Sequence, residues 1–465
     1  MIDGKFTPKS NITVTIRYVA QGLQESVLAG VGPDVANMAS GTAVSWGIRN
    51  SVEDLSRIYT QEDIDNGKNI REGAAVGQYM FEGFRDLAPI YTETKTIEYE
   101  VTEGRDKGKI AKEEQVAGEF MIPHAFYNEV TERYEFWDAQ HTTPIQFSHA
   151  ALEAVSLDNK TYLIPTTMNF EMSFYRVDVF AQEGLEPPRT WQELFEIIPK
   201  ITTKRMTMGM QTSLAGYQML LYQMGETMYA SDYCEFNKSG VALEAFETLC
   251  DLFNDYSLPI AYDLTRFRTG EIPIVVANWT TYNGFMGYYE LRGLWTMESL
   301  IGWEHYNEET GEYNVNRSSI LDVQGIVIPR GSESPQNVWQ YIKWYADYDA
   351  QAELARLNLA DQNNTTVKYN TANLNALLSQ AWTSDESDAM REQIPHLKGL
   401  PFNPGDYNIG RYINFAFLAV YNSNANAVDQ FLDYVVDINK ELTRKRDEYG
   451  LPHIKNGELI IPEDK

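Results

Sequence analysis

The chain has 465 residues, past the roughly 250 to 300 at which a single hydrophobic core stops growing, so two lobes with a crevice between them are expected. Hydrophobic residues make up 43% and charged residues 22%, a balance that excludes a disordered chain. A formal net charge of -28 repels phosphate-rich partners, which excludes nucleic acid and leaves a solvated acidic exterior as the reading of that charge.

No apolar run reaches the ~18 residues that span a bilayer. The opening MIDGKFTPKS lacks the pattern of an export signal and reads as an expression start, with any signal or lipid anchor lying upstream. Ile12, Val14, Ile16 and Tyr18 then alternate like the inward side of a strand. LAGVGPDVANM reads as a helix end feeding a second strand. From about residue 59 to 143 the chain is charged and less periodic, an insertion in which KTIEYEVTEGRDKGKIAKEEQ resembles an exposed hairpin. YLIPTTMNFEMSFYRVDVF follows as a strand, a turn at Pro165 and another strand. In PPRTWQELFEIIPK, Thr190 and Glu193 sit at capping-box spacing, and Trp191, Leu194, Phe195 and Ile198 form the apolar stripe of a helix. Two later amphipathic helices carry Val338, Ile342 and Tyr345, and Val428, Phe431, Leu432, Val435 and Leu442. Alternation of strand and helix predicts an α/β fold, and without a low-complexity linker the lobes should interleave. Cys250 shares a helical face with Phe246, Leu249 and Phe253 and reads as a buried thiol, while spacing leaves a Cys234 to Cys250 disulfide open.

Enzyme signatures are missing. The six histidines form no HExxH pair, and there is no CxxC. GVGPDV has Val35 where a third glycine of GxGxxG would fall, and neither GxxxxGK nor GxSxG occurs. No metal and no cofactor are expected. Aromatic residues, at 12%, carry more information, because a pyranose stacks its apolar face on a ring while polar neighbours bind its hydroxyls.

Several separated stretches resemble extracellular solute-binding proteins of ABC importers, the carbohydrate-binding family 1. LAGVGPDVANM is similar to the family's first-lobe motif, YLIPTTMNFEMSFYRVDVFAQEGLEPPRTWQEL to its crossover into the second lobe, FRTGEIPIVVANWTTYNGF to the strand that ends at a ligand-facing aromatic, and GIVIPRGSESPQNVWQYIKWYADYDAQAEL to the return to the first lobe. KGLPFNPGDYNIGRYINFAF and FLDYVVDINKELTRKRDEYGLP resemble the C-terminal part of a large multidomain subgroup of Gram-positive bacteria. The charged insertion is longer than the family's usual connection. The strand and helix normally ahead of ITVTIRYV are missing, so the sequence reads as a fragment or processed form.

The resemblance implies a two-lobed, type II periplasmic-binding-protein-like fold with interleaved lobes: 1–165 first lobe, 166–321 second, 322–362 first again, 363–465 second with the C-terminal helices. It also implies an extracellular, surface-anchored monomer that captures a carbohydrate by lobe closure and delivers it to an ABC permease in the membrane, without catalysis. A carbohydrate-active enzyme with an acidic pair in an aromatic cleft and a sugar-sensing receptor or adhesion module are the alternatives. Trp279 lies where the resemblance puts an aromatic platform, with Tyr282 beside it. Thr167 and Asn169 follow the Pro165 turn, and Ser40 and Thr42 follow the strand VANMA, where open α/β sheets bind ligands. Tyr407 and Arg411 match the C-terminal segment that approaches the cleft, although Arg411 could equally pair with Asp406.

Overall fold

The computed structural model describes residues 1–18, 22–67, 70–84, 91–100, 110–120, 124–128, 133–137, 146–231, 233–261, 263–308, 311–361 and 367–462. The first sheet places Asp322–Val327 between Ala36–Ala39 and Ile164–Asn169, antiparallel to both. Its register slips between Gln324 and Gly325, and a Cβ on Gly325 would lie 2.1 Å from the carbonyl oxygen of Ile164. Only glycine fits there, because the backbones themselves are in contact.

The second sheet runs Met208–Gly209, Ile274–Asn278, Glu171–Tyr175, Thr296–Glu298 in spatial order. Period-two alternation sends Val275 and Ala277 into one hydrophobic cluster and Ile274 and Val276 into the other, so this sheet is covered on both faces. The second cluster is built from helices. In Trp191–Thr202 the Thr190 and Glu193 capping box is formed in both directions, and Trp191, Leu194 and Ile198 are buried as the stripe requires. Ser213–Gln223, Gly240–Asn254, Ile409–Ser423 and Ala427–Glu448 pack around them through Tyr217, Phe246, Phe417 and Phe431. Cys250 is buried among these side chains, and no disulfide joins Cys234 to Cys250.

The alternation at residues 12 to 18 does not become a strand. Residues 11–18 are irregular, with Ile12 and Val14 resting on the core and Ile16 and Tyr18 exposed at 77% and 95%. Among the described residues no strand pairs with this segment, so its backbone makes no ladder. Within the insertion, Tyr91–Glu100 pairs with Ile110–Phe120 and His124–Asn128 with Arg133–Trp137, both antiparallel. The exposure expected of the hairpin lies outside the described residues. Residues 370–374, which the sequence reading groups with the second lobe, bond along the first: Met168 N–H donates to Asn370, and Ala372 N–H to Thr166.

The lobes join at a narrow ribbon. Asn169 and Glu171 end strands of the two sheets, Asp322 pairs with Asn169, and Ser319–Ile320 pairs in parallel with Leu397–Lys398. Ser319 Oγ accepts from the Glu171 N–H at 2.8 Å, tying two of these passes together. A buried polar set anchors them to the second lobe. Gln393 Oε1 accepts from the Leu300 N–H and its amide donates to the Arg317 carbonyl, while Arg317 donates to the Leu300 carbonyl. No helix among the described residues is long and apolar enough to cross a membrane.

Candidate functional site

The carboxyl ends of strands from both sheets converge on this ribbon. Ala36–Ala39 ends beside Gln324, Ile164–Asn169 ends beside Asp322, and Ile274–Asn278 ends beside Glu171. In open α/β sheets this is where solutes bind. On the first lobe, Ser40 opens the helix Ser40–Ile48, whose N-cap Ala39 offers no side-chain acceptor, so the first-turn amides face outward. A Cβ on Gly41 would meet the Phe402 ring at 3.4 Å, which brings the segment around Phe402 against this helix start. Ser40 is half-buried and Thr42 exposed.

On the second lobe, Met208–Gly209 runs parallel to Ile274–Val275 and leads to Thr212 and Ser213 at the start of the helix Ser213–Gln223. Ser213 holds φ 63°, the left-handed region that costs a non-glycine residue energy. Gly410 lies where its Cβ would be 3.3 Å from Leu214, so the two helix starts adjoin.

The eight residues singled out from sequence fall into four pairs. Ser40 and Thr42 lie at the first-lobe strand end. Thr167 bridges to Thr371, and Asn169 Nδ2 donates to Thr280 Oγ1 at 2.9 Å. Trp279 and Tyr282 belong to the core: Trp279 has no exposed surface and Tyr282 only 2%. Trp279 packs against Phe170 at 6.3 Å and Trp382 at 5.9 Å between ring centroids, and Lys368 Nζ sits 5.9 Å from the Tyr282 ring centroid. In this conformation neither ring presents a face to a solute, although the indole Nε1 of Trp279 has no acceptor among the described residues. Tyr407 is exposed and donates to Glu441. Arg411 donates to Asn408 Oδ1 at 2.6 Å rather than pairing with Asp406, and lies 5.5 Å from the Tyr412 ring centroid.

Sequence reasoning missed Glu171 and Asn278. They are register partners on one face of the second sheet, at its ribbon end. Asn278 is exposed and Glu171 half-buried, and neither side chain bonds to another described residue. Burial without a cation lifts the Glu171 carboxyl to about 7. One signal was available: a single acid opening the otherwise apolar strand EMSFY.

A cavity of about 830 Å³ lies beside the outermost pass of the ribbon, within the range of small-molecule sites. The first lobe contributes His149, Glu153 and Asp158, and the second lobe contributes Tyr222, Glu226 and Tyr229, with Lys398 and Phe402 from the joining segment. Burial raises the Glu153 carboxyl, against opposing contributions from Lys398 and the Gly399 amide, and burial with Lys398 lowers His149. None of the eight sequence candidates lines it. It opens at the Tyr222 end of the helix Ser213–Gln223 and reaches Phe402, the ring that stands against Gly41 at the first-lobe helix start.

Similar architectures are known. An extracellular solute-binding protein of Staphylococcus aureus in complex with maltose is 14% identical, with 96% of this chain and 93% of that one covered and a TM-score of 0.59. The maltose-binding periplasmic protein of Listeria monocytogenes in complex with maltose is 12% identical over 96% and 94%, with a TM-score of 0.58. An ABC transporter solute-binding protein of Thermotoga lettingae bound with alpha-D-tagatose is 16% identical over 95% and 94%, with a TM-score of 0.57. At these identities the likeness establishes the two-lobed, type II fold. No curated protein sequence matches the chain. A family model described as bacterial extracellular solute-binding protein matches residues 115–390, more than half of the sequence, and the chain belongs to that family.

Proposed function

We propose that this protein captures a carbohydrate between its lobes and hands it to an ABC permease, changing neither the sugar nor its linkages. The carrying observation is the convergence of strand ends from both sheets on one ribbon, with Asn169 ending the first-lobe strand, Glu171 and Asn278 meeting at the second-lobe end, and Ser40 and Thr42 starting the helix that follows Ala36–Ala39. A solute there touches both lobes at once, so it favours closure by its differential affinity for the closed form. Trp279 and Tyr282 support this wall from behind. The relatives named above are recorded with maltose and tagatose, which points to sugars as the solute class. Membership of a family of extracellular solute-binding proteins supports a site of action outside the cell.

The cavity supports a second placement of the same solute, between Tyr222, Tyr229 and Phe402, whose rings and neighbouring polar groups also suit a sugar. A thermal-shift panel of neutral mono- and oligosaccharides tests the function, since a solute that binds only the folded state raises apparent stability. A concentration-dependent rise with one sugar, recovered intact by chromatography, supports it. A flat response across the panel, or new products, contradicts it. Given a sugar that binds, Asn278→Ala and Tyr222→Ala separate the two placements.

A further inference from the structure

Alternation along the strand Glu171–Tyr175 fixes where its first side chain goes. Tyr175 lies in the second hydrophobic cluster, and Ser173, on the same face, accepts from the Ile301 N–H with its hydroxyl. Glu171 therefore shares that face, one step beyond the covered part of the sheet. Its register partner Asn278 stands beside it, since directly opposed residues on antiparallel strands place their Cβ atoms about 5 Å apart. The helix starts at Ser213 and Ile409 adjoin on this face of the lobe through Leu214 and Gly410. The Glu171 backbone cannot withdraw, because its N–H is held by Ser319 and its strand pairs on both sides.

A carboxyl so placed needs a reason. Had it only to fill space, an apolar residue like Met172 or Phe174 would serve at lower cost, as even a half-buried acid without a partner is destabilising. No described cation bonds to it: along the ribbon Asp322 pairs with Asn169 and Lys398 lies one strand further out beside Ile320, while Arg411, in the first turn of the helix that starts at Ile409, is held by Asn408. The oxygens are left to a visitor.

We propose that Glu171 and Asn278 form the second-lobe floor of the solute site and make the protein select neutral, hydroxyl-rich solutes over anionic ones such as uronic acids and sugar phosphates. This rests on the carbohydrate reading above. Glu171 offers acceptors to a pair of vicinal hydroxyls, and Asn278 both donates and accepts beside it. An anionic sugar at the same place meets an acid with no counter-charge, in a chain whose net charge is already -28.

The test combines footprinting with titration. Carboxyl groups of the full chain are coupled to glycine ethyl ester with a water-soluble carbodiimide, with and without maltose, maltotriose, cellobiose or xylobiose, and modification is read by mass spectrometry. Binding of the same sugars, of digalacturonate and of glucose 6-phosphate is measured by calorimetry for the wild type, Glu171→Gln and Asn278→Ala. Gln keeps the shape and removes the half-buried acid, so it should fold, and Asn278 is exposed. Expected are labelling of Glu171 in the free protein, protection by whichever neutral sugar binds, a 10- to 100-fold loss of its affinity in both variants (on the order of one hydrogen bond to a charged or polar partner) and gained binding of an anionic sugar by Glu171→Gln. If a neutral sugar binds while Glu171 labelling and both variants' affinities stay unchanged, the inference is overturned and the carbohydrate reading stands. If none of these sugars binds and none protects, both fall together.

Discussion

Trp279 offers the sharpest test of how the second lobe is built. Its indole is fully buried between Phe170 and Trp382, and Nε1 finds no acceptor. Two effects of opposite sign follow. Removing the whole ring in Trp279→Ala leaves a large cavity, at a cost of about 3 to 5 kcal/mol. Trp279→Phe keeps a ring in the site, with about 1 to 2 kcal/mol lost to the smaller volume, and deletes the unsatisfied donor, whose burial costs about 1 to 3 kcal/mol. The phenylalanine variant should therefore fall within about 1 kcal/mol of the wild type. Urea unfolding followed by far-ultraviolet circular dichroism measures both, read as midpoint shifts at constant slope. A phenylalanine variant as unstable as the alanine variant would refute the orphaned indole. An alanine variant with an unchanged midpoint would show that the ring is not core at all.

Further outcomes follow from the same packing. Gly325→Ala should lose more than about 2 kcal/mol in the same assay, because the new Cβ would meet the Ile164 carbonyl oxygen at 2.1 Å. Gln393→Leu strands the buried Leu300 N–H and Arg317 carbonyl and should cost about 2 to 4 kcal/mol. Burial raises Glu171 from 4.5 to about 7 and Asp406 from 3.8 to about 6, so the folded state holds protons the unfolded state has released. Each contribution is fully present below the unfolded value and lost as pH rises through the folded one, roughly 2 to 3 kcal/mol per group between about pH 4 and 7. Denaturation midpoints across that window should therefore fall less steeply in Glu171→Gln than in the wild type, and parallel curves would contradict the assignment.

Much of the architecture was legible because local patterns and tertiary packing agree. Thr190 and Glu193 announce a helix start that the structure forms as a complete capping box, and the 3.6-residue stripe behind it is the buried one. The strands around Asn169 and Asn278 were visible for the same reason. Where pattern needs a partner, sequence is silent: Ile12 to Tyr18 alternate properly, yet among the described residues no strand pairs with their backbone. The site was harder to see. Trp279 reads equally as platform or core, since a ring at a strand end looks the same whether Trp382, about a hundred residues later, covers it or not. Glu171 was hidden by its own strand, where an apolar run suggested burial and the one acid in it was passed over.

The central claim, capture of a sugar by closure of two lobes, is tested most directly by the distance between them. Fluorophores attached at exposed Glu333 in the first lobe and exposed Lys238 in the second, each replaced by cysteine in a Cys234→Ser, Cys250→Ala background, report that distance by single-molecule energy transfer. The account predicts two populations, with a neutral oligosaccharide moving molecules into the shorter-distance one in proportion to occupancy and being recovered unchanged. One population, indifferent to every sugar that shifts the melting temperature, would contradict it.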